Sequence, residues 1–325
     1  VANYVDTATG VPRERTDITV QCDGWIDVVI GTVSNGQGHE TSFAQLINEW
    51  FGVPIEKVRL ITHDTDIVKV GGGAHSGRGM RLASYVMKIA SDEIIARCKR
   101  LAGHLLDASP DDIAFGSAKF WVKGTSRAIG LFALAAAAVE RNDLPDDLRG
   151  RLTATCDSVI RQAAFPYGAH VCEVEVDPML GHVEIMRYTA VDDVGRAVNP
   201  LIIHGQTHGG IAQGVGQALL EHCAYNVESG QLLSGSLMDY AMPRADNFPF
   251  FNTQISEVPT PEHPLGIRPA GEGGTVPALA VVINAIVDAL SDLGVRHVEM
   301  PATPERIWRA INGMPDISPM RARKN

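Results

Sequence analysis

Four short glycine-rich stretches, each at or just before an apolar helical run, constrain this chain most: residues 36–39, 71–79, 205–210 and 271–274. The densest reads VGGGAHSGRGMR over residues 70–81, with five glycines between Gly71 and Gly79. Glycine lets backbone approach a ligand closely. The first turn of a helix leaves N–H groups without intrahelical acceptors, which favours an anion there. One such stretch carries little information. Four suggest a large ligand with several hydrogen-bonding groups, gripped mainly by backbone N–H groups.

The segments between them alternate in texture. Thr16 to Cys22 and Trp25 to Val33 are rich in β-branched residues around Asp23-Gly24, a hairpin signal. Phe43, Leu46, Ile47, Trp50 and Phe51 recur at helical spacing, with Thr41 or Ser42 as cap and Gly52 and Pro54 as stop. Lys57 to His63 alternates like a strand, and Leu82 to Leu106 reads as a long helix. Asn142 to Asp157 is polar and carries Pro145 and Gly150, the pattern of a linker or crossover. The texture then repeats. His170 to Val176 and His182 to Val191 form a strand pair, and HGQTHGGIAQGVGQALLEHC reads as glycine loop into helix. PAGEGGTVPALAVVINAIVDAL is another such loop feeding an apolar helix, and Thr303 caps a last helix that starts at Pro304. Strand pairs and helices come in blocks, so the expectation is an α+β fold of mixed sheets and long helices, divided at 1–160 and 161–325.

Composition enters as a filter. With 325 residues and 45% hydrophobic content the chain can bury two cores. A net charge of −10 argues against nucleic acid or an anionic membrane as partner. The apolar run around Ala133 to Val139 is too short to span a bilayer. Cys22, Cys98, Cys156, Cys172 and Cys223 are scattered without a CxxC, which gives no iron–sulfur or zinc motif and fits reduced thiols in the cytoplasm. The opening VANYVD, strand-like from Val1, reads as a piece of a longer chain.

Several side chains could carry chemistry. Gly72 and Gly77 have the P-loop gap, but Arg78-Gly79 stands where Lys-Ser/Thr is needed. Arg78 either pairs with a phosphate or belongs to a simple turn. His204 and His208 are four apart, yet Gly205 replaces the glutamate of a zinc motif and no third ligand follows, so no metal ligands are assigned. Gln206 between them offers donors and an acceptor. Glu272, flanked by Gly271 and Gly273, either stabilises a helix N-terminus or serves as a general base. Asp192, Asp193 and Glu221 read as solvated carboxylates, Met80 and Met87 as packing, and Arg321 to Lys324 as a solvated basic end.

Taken together, SNGQGHET, GGGAHSGRGM, DDVGRAVNPLIIHGQTHGGIAQGVGQALLE and PAGEGGTVPALAVVINAIVDAL resemble, in order and spacing, the molybdenum hydroxylases. That family includes xanthine dehydrogenase, aldehyde oxidoreductases and the large subunit of carbon monoxide dehydrogenase. The resemblance is to the C-terminal part of the molybdopterin-binding subunit. It implies molybdopterin, or its cytosine dinucleotide, with molybdenum held through the pterin. It places Gln37, Gly38, His39, Ser76, Gly77, Arg78 and Gln206 at the cofactor and makes Glu272 the catalytic base. The implied reaction is oxidative hydroxylation of a small substrate (an N-heterocycle, an aldehyde or carbon monoxide) with oxygen from water. Electrons then leave to iron–sulfur and FAD groups on partner domains or subunits. The family's preceding half, with its GGFG-type loop, is expected on another segment. The alternative is a homologue that binds cofactor or partner without turnover.

Overall fold

The computed structural model describes residues 1–7 and 10–315, so the basic stretch Arg321 to Lys324 lies outside the described residues. In chain order the elements are β1 (Ala2–Val5), β2 (Arg13–Val20), β3 (Ile26–Ile30), α1 (His39–Phe51), β4 (Val58–Ile61), α2 (Gly79–Leu105), β5 (Ile113–Gly116), β6 (Lys119–Val122), β7 (Ala128–Gly130), α3 (Leu131–Glu140), β8 (Leu152–Val159), β9 (Tyr167–Val176), β10 (Val183–Asp193), α4 (Pro200–Leu219), β11 (Asn252–Ser256), α5 (Thr275–Ala289) and α6 (Pro304–Ile311). The fold is α+β with mixed sheets, as in the expectation. No described helix is long and apolar enough to cross a membrane.

The chain forms two compact units whose boundary differs from a cut between 160 and 161. One contains Ala8–Ala164 and Pro259–Ile267; the other contains Val1–Thr7, Phe165–Val258 and the chain from Arg268 onward. β1 departs from a simple halving because it pairs antiparallel with β9, Ala2 opposite His170.

In the first unit the sheet order is β4-β3-β2-β8, with β3 and β4 parallel and the rest antiparallel. β8 corrects the linker reading of 142–157. Its Leu152, Ala154 and Cys156 are buried while Thr153, Thr155 and Asp157 face outward. A period of two with a polar outer row looks like a loop when only composition is read. Long α2 lies on β2 and β8, burying Leu82, Val86, Met87 and Ile94. The α1 helix buries Phe43, Leu46, Ile47 and Phe51. It starts earlier than a Thr41 or Ser42 cap implies: the cap is Gly38, at φ 73°, with no side-chain cap bond.

In the second unit the order is β1-β9-β10-β11, the last pair parallel. Its core joins Tyr188 with Ile211 and Val215 of α4 and Val281, Val282 and Ile286 of α5. The 205–210 stretch is not a loop before a helix but lies inside α4. The reason is close packing. A Cβ at Gly210 would fall 2.9 Å from the Gly274 Cα, and one at Gly214 would fall 2.5 Å from the Ala278 Cβ. These two glycines let α4 and α5 approach. Asn199 caps α4 by accepting from the Ile202 N–H, and Thr303 caps α6 by accepting from the Arg306 N–H.

Candidate cofactor site

Each unit brings two of the four glycine stretches together. In the first unit the link is His39. It opens α1, stacks on Phe43 with centroids 4.6 Å apart, and points Nε2 at the start of α2, where a Cβ on Gly79 would fall 2.7 Å from it. Burial drives the His39 imidazole down to about 4, which keeps it neutral. Gln37 is half-buried and closes its own loop: its Nε2 donates to Val33 O at 3.2 Å, and its Oε1 accepts from the Asn35 N–H.

The 70–79 stretch is closed on itself. His75 bonds Gly72 O and Ser76 Oγ, each at 3.0 Å, and the Arg78 N–H donates to His75 O at 2.9 Å. Ser76 and Gly77 follow each other with φ of 48° and 64°, turning the chain into α2. Gly71 presses on Gly31 beside the end of β3, since a Cβ on either would collide with the other's backbone.

Arg78 requires a correction. Its side chain is fully buried against Glu14, also fully buried, with Nη2 at 2.9 Å from Oε2. Nε donates to Val11 O at 3.0 Å, Nη2 also to Arg13 O at 2.9 Å, and Nη1 to Thr32 Oγ1 and Gly73 O. A guanidinium has five N–H donors, and these partners use them all. Arg78 therefore shapes the loop from inside and has nothing left for a phosphate.

The residue that sequence reading missed is Arg81, one turn later. It is 5% exposed and donates from Nη1 to Gln162 O at 2.8 Å, but its buried Nε has no partner among the described residues. Burial, and secondarily the Arg78 charge, lower its basicity. In sequence, GRGMR offers two arginines at helical spacing; the fold buries both, and nothing local says which one is left with an unpartnered donor.

In the second unit the link is Gln206. Its Oε1 would lie 3.9 Å from a Cβ on Gly271, so 205–210 meets 271–274. Glu272 is exposed, and its carbonyl caps the start of α5 by accepting from the Thr275 and Val276 N–H groups. Its carboxylate makes no hydrogen bond among the described residues, so it is presented rather than used. His204 Nδ1 and His208 Nε2 both reach Thr253 Oγ1, at 2.8 and 3.2 Å, an ordinary structural role. Asp192 and Asp193 are not solvated: they are 3% and 1% exposed. Asp193 accepts from the Gly195 N–H and Tyr167 Oη, with Arg268 Nε at 3.4 Å from Oδ1. Glu221 accepts from Tyr240 Oη at 2.5 Å.

Each unit by itself offers groups that suit an anionic, heteroatom-rich ligand. The start of α2 offers first-turn amides beside a buried guanidinium with an orphaned donor, and the second unit offers a carboxamide beside an exposed carboxylate.

Comparison with known proteins agrees. The chain matches the model of the molybdopterin cofactor-binding domain over residues 2–249. It is 31% identical to the carbon monoxide dehydrogenase large chain of Hydrogenophaga pseudoflava, covering 92% of this chain and 37% of that protein. It is 33% identical to the 6-hydroxypseudooxynicotine dehydrogenase complex subunit gamma of Paenarthrobacter nicotinovorans, covering 93% of this chain and 38% of that one. Quinoline 2-oxidoreductase from Pseudomonas putida 86 superimposes with a TM-score of 0.89 at 31% identity, over 96% of this chain and 41% of the other. The chain thus spans well under half the length of the curated relatives it matches. It belongs to the molybdopterin cofactor-binding domain family of the molybdenum hydroxylases.

Proposed function

We propose that this chain is the C-terminal cofactor-binding portion of a molybdenum hydroxylase that oxidatively hydroxylates a small electron-poor substrate with oxygen from water. The group it binds is molybdopterin or its cytosine dinucleotide, which supplies the metal centre that accepts the substrate's electrons. Iron–sulfur and FAD partners carry those electrons onward, and the assembly works in the cytoplasm. The relatives' names, which span carbon monoxide, a nicotine derivative and quinoline, leave the substrate class at small carbonyl, heterocyclic or one-carbon molecules.

The chain's own residues have distinct tasks. The α2 start and the Arg81 guanidinium hold the anionic end of the cofactor. Ser76 and Gly77 set the backbone direction there, and Gly38 and His39 brace it from α1. Gln206 offers its carboxamide to the cofactor's polar edge. Glu272 takes the proton from the oxygen nucleophile. The observation that carries this reading is the pairing of Gln206 with the Gly271–Glu272 turn, where an exposed carboxylate has no hydrogen-bond partner among the described residues.

The test is Glu272→Gln in the complete enzyme. Molybdenum content stays at the wild-type level while kcat falls about 10²–10⁴-fold, the usual cost of losing a general base. A wild-type kcat at saturating substrate overturns the assignment.

A further inference from the structure

Behind the Gln206–Gly271 contact lies a buried polar cluster that the reaction as described does not use. Asp192, at the end of β10, is 3% exposed. Its Oδ1 accepts from Tyr4 Oη at 2.8 Å and lies 3.1 Å from His170 Nε2, and its Oδ2 accepts from Thr207 Oγ1 at 3.4 Å. His170 Nδ1 is 2.8 Å from Tyr188 Oη. All five side chains are buried. An ionised carboxylate only accepts, so Tyr4, Thr207 and His170 Nε2 donate to it. His170 Nδ1 continues the chain to Tyr188 Oη. Burial, then the Asp192 charge, raise the Tyr4 hydroxyl far above the ordinary tyrosine range, which keeps it a donor.

Two ends of the cluster stop one residue short of the candidate site. Thr207 follows Gln206 on α4. Tyr4 Oη sits so close under Gly273, the residue after Glu272, that a Cβ there would fall 2.4 Å from it. A buried charge is a poor source of stability, because apolar side chains of the same volume often do as well, but a fully satisfied polar network fixes geometry. We propose that Asp192 is the hub of a positioning network, with Tyr4, His170, Tyr188 and Thr207, that locks the Glu272 turn at a set distance from the Gln206 helix. The network acts through those two residues and touches no substrate. The proposal rests on the reading of Glu272 and Gln206 given above.

The experiment uses the complete enzyme and the Gly273–Tyr4 contact. Gly273→Ala drives a methyl into Tyr4 Oη and displaces the turn. It lowers kcat by about 100-fold, the scale of a 1 Å misplacement, with molybdenum retained. Adding Tyr4→Phe removes the clashing hydroxyl but also the Tyr4–Asp192 bond, so kcat recovers in part, by about tenfold, an order set by the same geometric sensitivity. Tyr4→Phe alone, and the isosteric Thr207→Val should Tyr4→Phe fail to fold, speed amide hydrogen exchange in peptides spanning 203–210 and 270–276. That readout is independent of chemistry. If Glu272→Gln proves fully active while these peptides still loosen, the base assignment fails and the network stands. A silent Gly273→Ala, or no rescue by Tyr4→Phe, overturns the proposal. So does unchanged exchange in both peptides when only the melting temperature falls.

Discussion

The stretches 71–79 and 271–274 share a local pattern, glycines around a charged residue ahead of a helix, and the fold uses them in opposite ways. In the first, the charged side chain turns inward. Arg78 joins Glu14 and spends every donor on its own chain, so the loop is held by a buried ion pair. In the second, Glu272 is exposed and its carboxylate makes no hydrogen bond among the described residues, while the burial falls to Asp192 and Tyr4 behind it. A conspicuous side chain in a glycine loop is thus either part of the frame or part of the offering, and its hydrogen-bond ledger decides which.

The largest expected effect is at Glu272. Its replacement by Gln costs two to four decades of kcat, and the apo chain's stability stays within about 0.5 kcal/mol, as for other exposed positions. A comparable loss of stability would place Glu272 in the frame with Arg78.

Arg78→Ala should do the reverse. It leaves the Glu14 carboxylate buried without its cation, which typically costs about 3–5 kcal/mol, read as a lower denaturation midpoint of the apo chain. Arg81→Gln is the contrast. It gives up the Nη1 bond to Gln162 O but no ion pair, so stability falls by less than for Arg78→Ala. Retention of the pterin on dilution weakens by about 10- to 100-fold, the worth of one charge-assisted contact. If Arg78→Ala is thermodynamically silent, or Arg81→Gln leaves retention intact, the division between frame and offering breaks at this loop.

Periodicity made much of the fold legible. The helical spacing from Phe43 to Phe51, the long run after Leu82 and the β9–β10 pair all stand as read. What was hidden depends on partners far away in sequence. β8 looks polar until β2 and α2 cover one of its faces. Gly210 and Gly214 look like loop residues until α5 packs on them. Asp192 looks solvated until Tyr4, 188 positions earlier, closes over it. At the site, the residue types and their order were legible, because glycine and carboxylate chemistry is local. Which arginine has all its donors satisfied was not, because Glu14 and Thr32, far away in sequence, pair with Arg78.

His39 gives a pH-dependent version of the comparison, since only the first unit ties its two glycine stretches through a titratable ring. Burial lowers its imidazole from 6.5 to about 4. Between those values the unfolded chain binds a proton that the folded chain does not, so folding is fully favoured above 6.5 and loses stability as pH falls toward 4. The limit is about 3 kcal/mol, from ~1.4 kcal/mol per unit. His263 is lowered in the same direction by burial and adds to the slope. His39→Phe keeps the stack on Phe43 and flattens the acid limb of a stability-against-pH curve. An unchanged limb would assign it to other groups.

The smallest expected effect tests Ser76, which has a foot in both roles. At φ 48° it sits where an L-residue is strained by about 1–2 kcal/mol. Ser76→Gly relieves that strain but adds about 0.5–1 kcal/mol of unfolded-chain freedom, so the net gain in stability is at most about 1.5 kcal/mol. Its hydroxyl bonds only the exposed His75 ring at 3.0 Å, which is worth little in water. Ser76→Ala keeps the strained backbone and removes the same hydroxyl. If Ser76 belongs to the frame, Gly stabilises, Ala is neutral or slightly worse, and both retain the pterin equally. If its hydroxyl is offered to the ligand, Gly and Ala weaken retention alike, by a few-fold at ~1 kcal/mol for a neutral hydrogen bond. Wild-type retention in both variants places Ser76 with Arg78, as a residue that shapes the loop and leaves the gripping to backbone N–H groups.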